Sequence, residues 1–412
     1  MEGARQIEGC RVCGSKNLTQ LLALGDQYLT SFPEEDGGGR KAPLTLLMCE
    51  QCGLVQLRHT CPREWLYSWY GYRSGVNASM RRALHEITAS ASRFLRTGDT
   101  VVDIGSNDGT LLRSYNVMGL RKIGFEPALN LLPEAKEGLD LLVPDYFNFN
   151  AVKNESASVV TAIAMFYDLD DPVEFLRDVS ALLAPGGVFI VQMNYLLPMV
   201  EGAVFDNISH EHVAYYSLRT FRAVAERAGL EVFDVEMNDV NGGSLRAYCH
   251  NRGQGLSDQR NYRPGRVREL LRVEESAGLG DPKTYESFCT RVNAIVSRLQ
   301  SMVRGLVAEG KKVYVYGAST RGLVVMQACG IDSSLISGAA EKNREKWGRR
   351  YDGTGIVCVP EQEARDKADY FLVLPWQFVN EFKERERAFL ESGGKFIVPL
   401  PEVRIIGAED LA

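Results

Sequence analysis

The sequence predicts an α/β protein in which two largely parallel sheets follow a small cysteine-rich unit. Three observations lead there. Short apolar, β-branched runs alternate with helix-period segments over most of the 412 residues, the pattern of strands joined by crossover helices. Two of those runs end in glycine turns, at 105–109 and 317–322, and each turn opens a helical segment. Ahead of both stand two C-x-x-C-G knuckles: Cys10 and Cys13 followed by Gly14, and Cys49 and Cys52 followed by Gly53.

Bulk properties narrow the function classes. A chain of 412 residues has room for about two or three domains. Its 45% hydrophobic and 24% charged content are globular values. A net charge of −6 gives no electrostatic case for nucleic acid. No apolar run approaches membrane-spanning length, and the first residues lack the apolar core of a signal peptide. Nine cysteines fit a reducing compartment, where thiols serve as metal ligands or core fillers. The expectation is a cytoplasmic protein with no nucleic-acid or membrane partner.

The two knuckles predict a tetrahedral zinc site formed by Cys10, Cys13, Cys49 and Cys52, because the two-residue gap lets both sulfurs of a turn face one ion. Four thiolates leave no open coordination position, so the metal is expected to be structural. Residues 34–40, rich in Glu and Gly, read as an exposed turn, and 54–57 as a strand. An aromatic cluster follows: Trp65, Tyr67, Trp69, Tyr70 and Tyr72. The tryptophans suit core packing. The Y-x-Y-x-S stretch from Tyr70 to Ser74 suits a loop folded over a pocket. Leu84, Ile87 and Phe94 mark a helix over 80–95.

The strand beginning at Val101 runs into D-I-G-S-N-D-G at 103–109. A phosphate-binding P-loop would need Lys and Ser or Thr after its second glycine, and a dinucleotide fingerprint would read G-x-G-x-x-G; neither is present. Asp103 falls at the carboxyl edge of its strand, where open α/β sheets bind ligands. Glu126, in F-E-P, follows at the distance of about 20 residues typical of a ribose-gripping acid. Together these pieces resemble the cofactor site of class I S-adenosylmethionine (SAM) methyltransferases. The resemblance points to Asp103, Gly105, Asn107, Gly109, Glu126 and Met165 as cofactor-binding residues.

Further strands are expected at 141–147, 157–166 and 188–193, with a helix opening at Pro172 between the last two. Next comes His210-Glu211-His212, holding two of the chain's five histidines. The spacing lacks the i, i+4 geometry of the helical zinc motif H-E-x-x-H. A structural hydrogen-bonded cluster is one reading. General base work is the favoured one, with a histidine titrating near neutral pH and an adjacent carboxylate fixing its tautomer. Tyr215 or Tyr216 could then steady a developing oxyanion. A helix over 218–228 capped by Gly229, a strand over 231–236 and a closing strand to 250 complete this part. Asn241 opens an N-G-G turn before Ser244 and Arg246, both expected to line the substrate pocket.

Residues 250–265 read as a linker. A long amphipathic helix carries Tyr285, Phe288, Val292, Leu299, Val303 and Leu306, and stops at Gly310. The second strand–turn–helix unit follows, and strands at 370–375 and 395–400 make it a Rossmann-like sheet. Ser319 and Arg321, at the start of its helix, could hold a phosphate. The expected domains are 1–70, 71–255 and 256–412.

With these pieces in order, the chain resembles the sugar C-methyltransferases that act on nucleotide-linked 4-keto-deoxysugars. The likeness spans nearly the whole length. It rests on the two knuckles, Y-x-Y-x-S, D-I-G-S-N-D-G-T-L-L, F-E-P, H-E-H-x-x-Y-Y-S at 210–217 and G-G-S-x-R at 242–246. It implies a zinc domain, a central doubly wound SAM domain, a C-terminal Rossmann-like domain and a nucleotide sugar in the cleft between them. His212 would be the base that removes the proton beside the ketone, Glu211 its orienter, and Tyr72 and Tyr216 nearby donors. Tyr70 and His210 would join the substrate-binding set. Two departures stand out: Ser209 replaces a tyrosine frequent before H-E-H, and Ala164-Met165-Phe166-Tyr167-Asp168 lacks a histidine many members carry there. Both positions would face the substrate, which leaves the sugar open. The alternatives are SAM-dependent O- or N-methylation of another small molecule, or a zinc-ribbon interaction protein. A monomer or weak dimer is expected.

Overall fold

The computed structural model describes residues 3–30, 32, 39–67, 70–254, 263 and 265–411. Most of the expected turn at 34–40, Trp69 and most of the expected linker at 250–265 lie outside the described residues.

Each zinc knuckle closes on the same pair of backbone bonds. Cys10 N–H donates to the Ser15 carbonyl (2.9 Å) and Gly14 N–H returns to Cys10 (2.8 Å); Cys49 with Leu54 and Gly53 with Cys49 repeat both at 2.9 and 2.8 Å. The turn needs a left-handed residue at its fifth position, and glycine supplies it at Gly14 (φ 73°) and Gly53 (φ 79°). Between the knuckles the chain makes an antiparallel hairpin, Leu18–Tyr28 with Lys41–Cys49, and Val55–Leu57 pairs on its far side. A fourth strand completes this sheet from far along the chain. Ala214–Tyr215, two residues after His212, pairs antiparallel with Val55 and Gln56.

The central sheet has seven strands in the order Leu230–Asn238, Ser244–Asn251, Leu183–Asn194, Ala157–Ile163, Thr100–Ile104, Arg121–Phe125 and Leu141–Val143. All run parallel except Ser244–Asn251, which is antiparallel to both neighbours. Its middle strands are buried along nearly every residue, as a sheet covered on both faces requires. Several expected boundaries moved for local reasons. The strand at 141 stops at Val143, before Pro144. The strand at 157 stops at Ile163, because Ala164 turns out of the sheet at φ 57°. The strand at 188 begins earlier, at Leu183, and absorbs Pro185 to Gly187 as an irregularity in its register.

The C-terminal sheet also has seven strands: Arg350–Tyr351, Ile356–Pro360, Ala339–Glu341, Val313–Tyr316, Tyr370–Val373, Lys395–Val398 and Arg404–Ile406. The inner five are parallel and both edges antiparallel.

Two helices stand between these sheets in the chain. Arg266–Ser276 follows the linker region yet packs back onto the central sheet, where Arg266 Nε donates to Asp234 at 2.8 Å. At its other end Glu274 accepts from Tyr195 Oη (2.7 Å) and from Arg219 N–H (3.0 Å). The long helix Pro282–Ala308 lies against the hairpin strand Leu18–Tyr28, the helix Leu196–Glu201 and the strand Val313–Tyr316, so it touches all three sheets' domains. No helix among the described residues is long and apolar enough to cross a membrane.

Candidate active site

The glycine turn after Thr100–Ile104 is built from three left-handed residues, Gly105 (φ 72°), Asn107 (φ 51°) and Gly109 (φ 77°). Glycine suits the left-handed φ at 105, and an added Cβ there would stand 3.2 Å from Met165 Cγ, close enough that the Met165 side chain would have to shift. Asp103 is buried and accepts a hydrogen bond from Thr161 Oγ1 (2.6 Å). Burial pushes its carboxyl up to about 7, with nearby Glu126 adding to the effect. Glu126 is also buried. Its two oxygens accept from Asn107 N–H and Ala128 N–H, each at 2.8 Å, and burial still holds it above the usual carboxylate range. Neither acid has an ion-pair partner among the described residues.

The Tyr70–Ser74 stretch folds over this turn. Asn107 Oδ1 accepts from Ser74 N–H (2.9 Å), its Nδ2 donates to the Tyr72 carbonyl (3.1 Å), and Asp108 accepts from Gly75 N–H (2.7 Å). Asn130 clamps Tyr70 at both backbone groups, at 2.9 and 3.0 Å. Arg73 bridges Glu134 and Glu345, each at 3.2 Å, and so ties the loop to the C-terminal domain. Tyr72 keeps 38% of its surface accessible, yet its phenol is held above the ordinary range by the surrounding protein.

The other wall comes from residues 165–168 and from the segment around H-E-H. His212 is buried; its Nδ1 lies 2.8 Å from the Asn207 carbonyl, which makes Nδ1 the donor and leaves Nε2 with its lone pair. The acceptor is a backbone carbonyl, so Glu211 is not what fixes this tautomer. Burial, with Arg321 nearby, lowers the imidazole to about 4 and keeps it neutral. The Tyr167 ring meets it edge-on, with centroids 4.3 Å apart. Tyr215 Oη donates to the same Asn207 carbonyl at 3.3 Å. Glu211 faces a different group: Tyr67, Tyr70, Tyr167 and Asp168 all feel its charge. Burial raises Glu211 to about 7 and pushes Asp168 well above the usual carboxylate range. Ser209 Oγ is buried there without a hydrogen-bond partner among the described residues, and Tyr67 stands against Asp168.

Other expected residues have protein partners. His210 Nε2 bonds the Ala42 carbonyl of the N-terminal sheet at 2.9 Å. Tyr216 packs between Phe166 and Phe221, and the charged groups bearing on its hydroxyl are Arg11, Cys10 and Cys52, on the zinc side. Ser244 Oγ donates to the Val240 carbonyl (2.8 Å), and Arg246 bonds Gln192 (2.9 Å) and Glu236 (3.3 Å). Ser319 caps the helix Thr320–Ala328 by accepting from Gly322 N–H (3.1 Å). Arg321 grips the fully buried Asp206 through Nε (3.0 Å) and Nη2 (2.9 Å), and reaches the Asn241 carbonyl at 2.7 Å. Trp376 Nε1 adds a third donor to Asp206 at 2.9 Å. Sequence reasoning missed Asn207, Asp206 and the site role of Tyr67. Only Tyr67, within the aromatic cluster, carried any signal.

Comparisons with known proteins follow this architecture. Three family descriptions match in succession: a zinc-binding domain over residues 10–67, a methyltransferase domain over 72–235 and the C-methyltransferase C-terminal domain over 239–401. The C-methyltransferase NovU of Streptomyces niveus is 34% identical over 98% of this chain and 98% of its own. The chain belongs to the C-methyltransferase family. A second relative, a ubiquinone biosynthesis O-methyltransferase of Chromobacterium violaceum, is 28% identical over 36% of this chain and 74% of its own. Among solved structures, a SAM-dependent methyltransferase from Clostridium acetobutylicum aligns at a TM-score of 0.34 and 13% identity, over 43% of this chain and 94% of that one.

As a C-methyltransferase the chain uses SAM as methyl donor and takes a small-molecule substrate. The residues fit both expected groups. All four knuckle sulfurs lie within 4.8 Å of one another, with Cys10–Cys52 at 3.6 Å and Cys13–Cys49 at 3.5 Å. Tetrahedral zinc with bonds of about 2.3 Å needs sulfurs about 3.8 Å apart. Two buried carboxyls with no basic partner among the described residues, beside a turn of three left-handed residues, fit a ligand with a ribose and a positive charge.

Proposed function

We propose that this C-methyltransferase acts on a nucleotide-linked keto-deoxysugar, removing the proton beside the ketone and methylating the resulting enolate carbon. The observation that carries the reading is the state of His212. A neutral imidazole with its donor nitrogen fixed, its other nitrogen unbonded among the described residues and the Tyr167 ring against it, can accept one proton.

The roles then follow from position. SAM supplies an electrophilic methyl group when bound; Asp103, Glu126 and the turn from Gly105 to Gly109, with Met165 beside it, hold it at the strand ends. His212 Nε2 takes the proton from carbon. Negative charge moves to the ketone oxygen, which needs donors in a dry site. Glu211, raised to about 7, keeps its proton near neutrality and can donate to that oxygen. Tyr67, Tyr70, Tyr72 and Tyr167 surround the same space and remain protonated.

The test is mass spectrometry of a 4-keto-6-deoxy sugar nucleotide incubated with the protein in deuterated water. Deuterium at carbon without SAM, and an added methyl with SAM, is the expected pair. Protein that binds SAM yet gives neither signal has another acceptor.

A further inference from the structure

We propose that Arg11, which sits between the first two zinc cysteines, is a positioning residue for methyl transfer: it fixes the strand-end loop that carries Tyr167 and Asp168. This rests on the reading of the cleft given above. The Arg11 side chain is only 2% exposed. Its Nε donates to Asp170 Oδ1 (2.9 Å), Nη1 to the Leu57 carbonyl (2.6 Å) and Nη2 to Thr60 Oγ1 (2.7 Å). Thr60 donates in turn to the same Asp170 oxygen at 2.9 Å. Asp170 lies two residues beyond Asp168 and directly before Asp171, the N-cap of the helix Pro172–Leu182. The loop from Ala164 to Asp170 is therefore pinned at its far end to the zinc knuckle.

The opposite catalytic segment is braced to the same unit. Leu57 N–H donates to the Val213 carbonyl (2.9 Å), one residue after His212, and Ala214–Tyr215 pairs with Val55 and Gln56. Arg227 Nη1 donates to the Val12 carbonyl inside the first knuckle at 3.0 Å. Two segments whose rings touch at Tyr167 and His212 thus share one anchor; Arg11 is its buried charged contact to the loop, while the exposed Arg5 ion-pairs with the second Asp170 oxygen, a surface contact that holds far less. The cofactor turn does not share that anchor. Among the described residues, Asp103, Asn107, Asp108 and Glu126 bond only within the central domain and the Tyr70–Gly75 loop. Loss of the Arg11–Asp170 contact should therefore misplace Tyr167 and Asp168 toward the pinned end of the loop, while Met165, packed against Gly105 at its other end, stays with the cofactor turn and SAM is spared. Placement errors of about an ångström cost catalysis heavily even when binding persists.

The experiment uses full-length, zinc-loaded Arg11→Gln, Arg11→Lys and Asp170→Asn. Arg11→Gln and Asp170→Asn should keep their zinc and a SAM Kd near wild type, while kcat falls about tenfold or more with little change in KM. Amide hydrogen exchange should quicken over 167–170 and 212–215 and stay unchanged over 103–109. Arg11→Lys should recover part of kcat, because an ammonium can still reach Asp170. Wild-type kcat in a zinc-loaded Arg11→Gln or Asp170→Asn protein overturns the proposal. If Arg11→Gln loses zinc, Asp170→Asn, which lies outside the knuckle, decides alone. Full turnover in His212→Ala would instead overturn the reading of the cleft itself.

Discussion

Replacing Arg321 with Met separates two roles that the sequence could not tell apart. The guanidinium makes two bonds to Asp206, whose carboxylate is completely buried, and Trp376 supplies its remaining donor. Arg321→Met leaves that charge with one indole N–H. Removing one partner of a buried ion pair costs about 3–5 kcal/mol, and the lost bond to the Asn241 carbonyl adds about 1 kcal/mol. For a cooperative unit of about 150–250 residues, the size of one domain here, each kcal/mol shifts the midpoint by about 2–4 °C, so Tm should fall by roughly 10 °C or more. Differential scanning calorimetry reads this directly. A double variant, Arg321→Met with Asp206→Leu, should regain most of the loss, because the stranded charge is gone. The contrary result is equally definite. A Tm within about 2 °C of wild type, with a KM for the nucleotide sugar raised by an order of magnitude, would make Arg321 the phosphate ligand its place at a helix start suggests. The ion pair would then be incidental.

Four further outcomes are expected. His212→Ala should abolish turnover while SAM affinity by calorimetry stays near wild type, since His212 lies apart from the glycine turn; equal loss of SAM binding would contradict this map. The pH profile of kcat should rise through about pH 4 as His212 becomes neutral and fall above about pH 7 as Glu211 loses its proton; Glu211→Gln, which keeps an N–H donor, should remove the alkaline limb, and an unchanged limb would refute the donor role. Cys10→Ser should lower zinc content by elemental analysis and lower stability, and a fully stable metal-free variant would refute a structural zinc. Asp103→Asn tests the raised carboxyl by urea unfolding of SAM-free protein. In the wild type this group contributes most below its ordinary value of 3.8, and the contribution is lost as pH rises to about 7. The variant minus wild-type stability should therefore climb between pH 4 and 7 and then level off; a flat difference would mean that Asp103 titrates normally. His210 and His212 titrate the opposite way, but equally in both proteins.

What the sequence disclosed is what local chemistry dictates. The knuckles repeat one turn whose glycine is obligatory, so Cys10 to Gly14 and Cys49 to Gly53 were readable as metal loops. The D-I-G-S-N-D-G turn was equally readable, because its glycines mark left-handed positions. Ala164 is left-handed too, but nothing about an alanine announces it, and the strand was expected three residues too long. The site's orientation was less accessible. Asn207 holds His212 through a main-chain carbonyl, an acceptor every residue possesses. Asp206 and Arg321 are joined across 115 positions, and each alone reads as an ordinary surface charge or a phosphate ligand. Tyr215 and Tyr216 are adjacent in an extended strand, so they face opposite ways. Only the strand's pairing partner, in another domain, decides which hydroxyl turns toward His212.

That pairing also sets a timetable for biosynthesis. Val55–Leu57 leaves the ribosome roughly 150 residues before Ala214–Tyr215 exists to cover it. At ordinary elongation rates the open edge persists for on the order of ten seconds, long enough for an unpaired strand to find a wrong neighbour. Both zinc knuckles are complete by residue 53, so metal capture can steady the hairpin throughout that interval. A cell short of zinc would then lose this protein mainly during synthesis, as aggregated nascent chain, before any folded molecule had a metal to give up.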